Sequence, residues 1–585
     1  MIKRLARCVR EYKWPALLSP LCMVGEVAME VIIPLVMASL YDYGIQEKNM
    51  EIIVSRSILL VVLALASLAF GVLSAVFASK ASTGFAKNLR HDMFHRVQSF
   101  GFSNIDKFST ASIVTRLTSD VANIQMSFQM LIRMAVRSPL MLVLALISSL
   151  RISTKLSLVF FAVIPIMVLV LVLLVPKGFK IFDRVFKTYD KLNNVVQENI
   201  HGIRVVKSYV REDKETEKFT EISNSIAKDF KKAERIVAFS SPLMQFGIYG
   251  SMLTISWLGA HMVVASGNNP AEGLTTGQLS SMFTYVTQIL SSFLMFTVVF
   301  VMLLMSRAPM KRCYEILKEE PDLTSPAEGG ITEVKDGSID FENVGFRYSE
   351  HAQHRTLKEI SLHIPSGATV GILGGTGSGK TSLVQLIPRL YDICEGSLKV
   401  GGVEVKDYDL DTLRNNVAMV LQKNVLFSGT VAENLRWGNP NATDEELMTA
   451  LETAQALDIV KSKDGGLDAA VEQGGTNFSG GQRQRLTIAR ALVRKPAVLI
   501  LDDSASALDY ATDAALRQAI RNAETPPTTF IVSQRAASVR YADLILVLDD
   551  GHLVGKGTHE QLLKTCSVYQ EIYYSQFPKE VTVHV

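Results

Sequence analysis

A charge excess is the first thing this chain lacks. Its 60 Lys and Arg stand against 57 Asp and Glu, for a formal net charge of +3, which removes the case for nucleic-acid binding. Cysteine is scarce: Cys8, Cys22, Cys313, Cys394 and Cys566 are scattered, with no Cys-x-x-Cys pair. Neither a disulfide framework nor a zinc site is indicated, and a reducing cytosolic face fits them. There is no internal repeat and no low-complexity tract. Two absences are local: Asp503, not Glu, follows Asp502 after the apolar run Ala497-Val498-Leu499-Ile500-Leu501, and Ile531-Val532-Ser533-Gln534-Arg535 has Gln in place of His.

What is present divides unevenly. At 585 residues the chain is too long for one core, and its 48% hydrophobic residues concentrate in the first half. Apolar stretches near the ~20 residues that a bilayer requires predict six membrane spans, at 15–40, 55–79, 129–150, 156–177, 241–266 and 279–306. The first is too long for a signal peptide, and further spans follow it. Before it, Ile2, Leu5, Ala6 and Val9 share a helical face opposite Lys3, Arg4, Arg7 and Arg10, which suits either a helix on the membrane surface or an ordinary charged N-terminus. The long joining segments are rich in Lys and Arg (Lys80, Lys87, Arg90, Arg96, Arg116; Lys177, Lys180, Arg184, Lys187, Lys191), which places them in the cytoplasm together with both termini.

The character changes after Arg307. The reading is a membrane domain over 1–317, a polar Pro- and Gly-rich linker over 318–337, and an α/β domain over 338–585 in which short β-branched runs alternate with helical segments. There, Val370-Gly371-Ile372-Leu373 leads into Gly374-Gly375-Thr376-Gly377-Ser378-Gly379-Lys380-Thr381, with a helix predicted to follow. Strand, Gly-rich loop and helix in that order form a phosphate-binding loop for ATP: backbone N–H groups surround the phosphates, Lys380 reaches the β- and γ-phosphates, and Thr381 ligates Mg²⁺. Asp502 ends a strand and would hold Mg²⁺. Asp503 stands where a water-polarising carboxylate belongs, one methylene short of a Glu. Gln534 can donate a hydrogen bond to the γ-phosphate but carries no charge. The expectation is retained affinity and slowed hydrolysis.

Between these lies Asn477-Phe478-Ser479-Gly480-Gly481-Gln482-Arg483-Gln484-Arg485, where a Gly pair, a Ser hydroxyl and a helix start can bind an anion. Together with the loop, these motifs make the chain resemble an ATP-binding cassette (ABC) exporter of the half-transporter type, over nearly its whole length. The resemblance implies a type IV exporter fold, six transmembrane helices with long cytoplasmic extensions fused to an α/β P-loop nucleotide-binding domain. It implies that Tyr348 stacks on adenine and that Gln422 senses Mg²⁺ and the membrane domain. Glu472 would lie in the loop before the signature, and Ser506-Ala507-Leu508-Asp509 in the loop that crosses to the other subunit. Phe478 replaces the Leu that usually opens the signature. Arg116-Leu117-Thr118-Ser119-Asp120-Val121 and Gly202-Ile203-Arg204-Val205-Val206-Lys207-Ser208-Tyr209 look like cytoplasmic helix signatures, with coupling helices expected near 105–117 and 209–215.

In such proteins one chain's phosphate loop faces the other chain's signature. The paired departures at Asp503 and Gln534 resemble those in the non-catalytic subunits of bacterial heterodimeric multidrug exporters. They imply a heterodimer with a competent half-transporter whose site Ser479, Gly480, Gly481 and Gln482 would complete, in a bacterial plasma membrane with the nucleotide domain in the cytoplasm. The alternatives are an ATP-gated channel or regulatory subunit, or a slow homodimeric exporter. Amphipathic drugs are the first substrate class, lipids or peptides behind. Within the spans, Glu26 and Glu30 share one helix face and Arg133 and Arg137 another. The Glu pair either attracts a cationic substrate, or these groups sit near the interface or pair with one another or with the partner.

Overall fold

A computed structural model describes residues 1–577 except 271, 327–328, 350–351, 353 and 505–507. Ser506 and Ala507 of the expected crossing loop therefore lie outside the described residues, as do the side chains of 170–180 and 187, which include Lys177, Lys180 and Lys187. The chain divides into two units: Met1–Val97 with Ala111–Lys318, and Gln98–Thr110 with Glu319–Val585.

The first unit is built from the long helices Lys13–Ser39, Met50–Gln98, Val121–Ile152, Thr154–His201, Glu212–Ala265 and Thr276–Lys318. Five helical segments are long and apolar enough to cross a membrane. On the Thr154–His201 helix the apolar stretch among the described residues, Thr154–Leu169, is shorter. Helices of 49, 48 and 54 residues far exceed the ~20 needed to span, so they continue well past the apolar layer. A single extended residue, Ser153, separates two of them and caps the second through its hydroxyl, which accepts from the Leu156 N–H.

Small and hydroxylated residues let these helices approach, as expected where apolar burial alone cannot drive association. Ser19 and Ser74 exchange hydrogen bonds with each other's backbone carbonyls at 3.0 and 3.1 Å. The Tyr285 hydroxyl donates to the Val31 carbonyl at 2.8 Å. The Gly277 N–H donates to buried Asp42 at 2.9 Å, and a Cβ on Gly277 would lie 2.5 Å from the Ala38 carbonyl oxygen, so only glycine fits there. At the N-terminus, the helix is only Ile2–Ala6; Leu5 and Cys8 are buried and Ile2 is exposed, so the apolar face predicted there is split.

In the second unit a six-stranded sheet runs in the order His552–Gly557, Leu544–Asp549, Thr369–Gly374, Thr528–Val532, Val498–Asp502, Val417–Val420. All pairings are parallel except the antiparallel edge made by His552–Gly557. The inner strands are apolar on both faces, as a parallel sheet covered on both sides requires. Its register brings Val532 opposite both Asp502 and Ile372, and Val420 opposite Leu501. The chain therefore leaves these strands along one edge, the carboxyl edge where α/β sheets bind ligands. An antiparallel sheet of Leu357–Ile364, Ile339–Phe346, Glu395–Val400 and Val403–Glu404 shares a core with it. A second core gathers around the helix Gly480–Leu492.

The short helices fall a few residues ahead of the expected coupling helices. They are Phe102–Phe108, ended by Ser109 in a positive-φ conformation, and Ile203–Ser208, which follows Gly202 and ends before Val210, also at positive φ. Sequence periodicity does not report such single-residue breaks.

Candidate functional site

Where the strands end, the predicted residues converge. The loop after Thr369–Gly374 turns through Gly377 at φ 82° and Gly379 at φ 94°, conformations that side chains rarely adopt. A Cβ added to Gly375 or Gly377 would meet nothing within 4 Å, so the loop's concave side is open. Among the described residues, the amides of Gly377, Gly379, Lys380 and Thr381 donate to no acceptor, leaving N–H groups for an anion. The Lys380 ammonium folds back on the loop and donates to the carbonyls of Gly374 and Gly375 at 2.9 and 2.6 Å. Burial pushes its pKa down, while Asp503 and Asp502 pull it up.

The Thr381 hydroxyl donates to Asp502 at 3.0 Å, and the Gln422 amide donates to Asp503 at 3.3 Å. Burial pushes the Asp502 carboxyl above its usual range; the Thr381 hydrogen bond opposes this and neighbouring Asp503 adds to it. A divalent cation would relieve that burden, and the donor set of one hydroxyl, one carboxylate and one amide is the hard oxygen chemistry that Mg²⁺ prefers. Tyr348 stands beside the loop, its hydroxyl 2.8 Å from that of Ser382 and its ring edge-on to Phe346 and Tyr391. Thr381, Gln422, Asp502 and Asp503 are thus brought together, with Lys380 and Tyr348 flanking them.

Other expected residues are placed elsewhere. Ser479 caps the helix Gly480–Leu492 in a reciprocal box with Gln482, at 3.3 and 3.0 Å, and is exposed with Gly480. Phe478 is buried in the adjoining core with Lys463 over its ring at 5.1 Å, which accounts for an aromatic at that position. Glu472 accepts from the Thr476 hydroxyl at 2.8 Å. Asp509 caps the helix Tyr510–Arg521, accepting from the Thr512 N–H at 2.8 Å. Gln534 follows the strand paired to Asp502; its side chain is exposed.

Three residues near the site escaped the sequence reading. Gln576, on the C-terminal helix Ser567–Gln576, donates to the Gln534 carbonyl and accepts from the Ala536 N–H, both at 2.8 Å. Tyr391 is buried, and its hydroxyl donates to Asp106 of the helix Phe102–Phe108 at 2.9 Å while its ring lies against Tyr348. Contacts across 285 and 42 positions leave no mark on a local pattern.

The long apolar helices and the parallel sheet with its phosphate-type loop define a membrane protein with a nucleotide-binding domain. Residues 16–293 match the ABC transporter transmembrane region and residues 357–506 the ABC transporter domain. The chain belongs to the ABC transporter family: it is 35% identical, over 98% of both chains, to an uncharacterised ABC transporter ATP-binding protein of Bacillus subtilis. It is also similar to an ATP-dependent lipid A-core flippase of Desulfotalea psychrophila (28% identity, 98% of this chain and 99% of the relative). A putative multidrug export ATP-binding/permease protein of Staphylococcus aureus is 32% identical over 66% of each chain.

Proposed function

We propose that this chain is one half of a heterodimeric, ATP-driven exporter of amphipathic molecules, with six spans in a membrane domain over 1–317, a linker over 318–337 and a nucleotide-binding domain over 338–585. Its own site holds ATP and turns it over slowly. The observation that carries this reading is the otherwise complete site with Asp503 and Gln534 at the two positions that would act on the attacking water.

In this reading the open loop from Gly374 to Gly379 cradles the phosphates, Lys380 holds the terminal ones, and Tyr348 stacks on the adenine. Thr381, Asp502 and Gln422 hold Mg²⁺, which supplies charge neutralisation at the phosphates when bound. A carboxylate misplaced by ~1 Å costs about 10²-fold in rate. Ser479, Gly480, Gly481 and Gln482, exposed and away from that site, complete the partner's site, with Asp509 on the same shared surface.

Two apolar surfaces support a second half-transporter. Val205, Tyr209 and Val210 at the tip of the membrane unit's long helices are 59%, 73% and 80% exposed. The nucleotide unit carries an apolar groove of about 350 Å³ around the stacked pair Phe427 and Trp437. A partner's tip would fill this groove, and its groove would take this tip.

The test is single-turnover hydrolysis of ATP bound to the purified chain, with uptake into inside-out vesicles containing the assembled complex. Retained, uncleaved ATP and uptake against a gradient are expected. Prompt cleavage contradicts the slow site. Passive flux alone favours an ATP-gated channel.

A further inference from the structure

A cavity of about 660 Å³ opens within the membrane unit between the helices Lys13–Ser39, Val121–Ile152 and Thr276–Lys318. One wall is apolar, with Ile33, Pro34, Met141 and Met295; the other carries Glu30, Arg137, Ser138, Thr284, Thr287, Gln288, Ser291 and Ser292. The two arginines expected to act alike do not. Arg137 bonds both acidic residues, Glu26 through one terminal nitrogen and Glu30 through the other at 2.8 Å to each carboxylate oxygen. Arg133, one turn earlier, does not line the cavity.

A census of donors and acceptors decides what the polar wall can receive. The terminal nitrogens of Arg137 are engaged by the two carboxylates. The Ser138 hydroxyl donates to the Met134 carbonyl at 3.0 Å, the Thr287 hydroxyl to the Thr284 carbonyl at 2.7 Å, and the Gln288 amide to the Glu30 carbonyl at 3.3 Å. These donors are therefore spent on the protein itself. What remains are acceptors: Gln288 Oε1 is buried with no partner, and the hydroxyl oxygens of Ser138 and Thr287 keep their lone pairs. The charge points the same way. Two carboxylates face one guanidinium, and the second oxygen of Glu26, buried against Gly71, has no partner either.

Resting on the exporter reading above, we infer that this cavity is a subsite for amphiphilic amines, whose ammonium N–H groups donate to Gln288 and the Glu30 side of the wall while the apolar tail lies along the methionines. An anionic head, such as a lipid phosphate, would need donors and meets a surplus of negative charge. A quaternary ammonium satisfies the charge but has no N–H for Gln288. A row of methionines adapts to tails of varied shape.

The test is equilibrium binding of a radiolabelled tertiary-amine amphiphile to the full-length chain with its partner in nanodiscs, without ATP. Quaternary-ammonium and phosphate analogues with the same tail serve as competitors. The amine is expected to bind at least about tenfold more tightly than the phosphate, with the quaternary analogue between them. Gln288→Leu should weaken amine binding about tenfold and leave the quaternary analogue unchanged, while Gln288→Glu, which keeps an acceptor, preserves it. A phosphate that competes as well as the amine overturns the inference, as does unchanged amine binding to a folded Gln288→Leu protein. If that variant does not fold, the order of the three competitors on the unaltered protein decides alone. Binding in the expected order without ATP-driven uptake upholds the subsite and contradicts the exporter reading instead.

Discussion

Asp503 has a φ of 48°, in the left-handed region that Asp tolerates better than most side chains, and its amide donates to the Val532 carbonyl at 3.0 Å. Strand register and this turn fix its backbone, so the length of its side chain sets where the carboxylate can reach. Asp503→Glu alone should therefore restore only part of the turnover, because Gln534 still supplies no charge. The double change Asp503→Glu with Gln534→His should exceed the single by about tenfold, read as steady-state ATPase of the complex with the partner's site inactivated. Equal rates would mean that position 534 is indifferent. The sequence showed this site through its motifs, since an apolar run entering a Gly-rich loop is a local pattern. It also paired Glu26 with Glu30 on one helix face, but the group that binds both, Arg137, lies more than 100 positions away. Helix periodicity records which residues share a face and is silent on what that face meets.

Among the elements, two short helices set the surroundings of the site. The helix Phe102–Phe108 reaches Tyr348 through Tyr391: Asp106 accepts the Tyr391 hydroxyl, and Tyr391 stands edge-on to Tyr348 with ring centroids 5.1 Å apart. Tyr391→Phe keeps the ring and removes the bond. It should leave ATP affinity within about twofold and reduce substrate-stimulated ATPase several-fold; a fall in ATP affinity with stimulation intact would contradict a coupling role. The C-terminal helix holds the backbone at Gln534 and Ala536 through Gln576. Losing a hydrogen bond is worth about 1 kcal/mol, so Gln576→Ala should speed ATP release about fivefold, measured with a fluorescent nucleotide.

That helix also carries a pH dependence. His559 lies 2.7 Å from the Tyr569 hydroxyl and against Tyr573. Burial, helped by Arg540, lowers its pKa from the usual 6.5. Above pH 6.5 it is neutral whether the helix is docked or not, and pH has no effect. As pH falls below that value the undocked form takes up the proton first, so docking weakens until the docked form protonates too. Amide exchange over 567–577 should therefore rise between pH 7.5 and 5.5, and His559→Phe should flatten the change. An equal rise in that variant would assign the effect to other groups.

At the scale of the whole molecule, one chain supplies one phosphate loop and one signature surface, and these lie on different faces of its nucleotide unit. The signature was legible because Ser479 and Gln482 form a capping box at fixed spacing; its partner was not, because it belongs to another chain. The central claim is that this chain's own site is the slow one and that a different subunit provides the fast one. The most direct measurement is the ATPase rate of the purified chain alone and with the transporter-like subunit encoded beside it, each with the mass of the assembly. The account predicts little activity alone and a clear rise in a one-to-one complex of unlike chains. Comparable activity from a dimer of identical chains would show that Asp503 and Gln534 suffice for catalysis, and would contradict it.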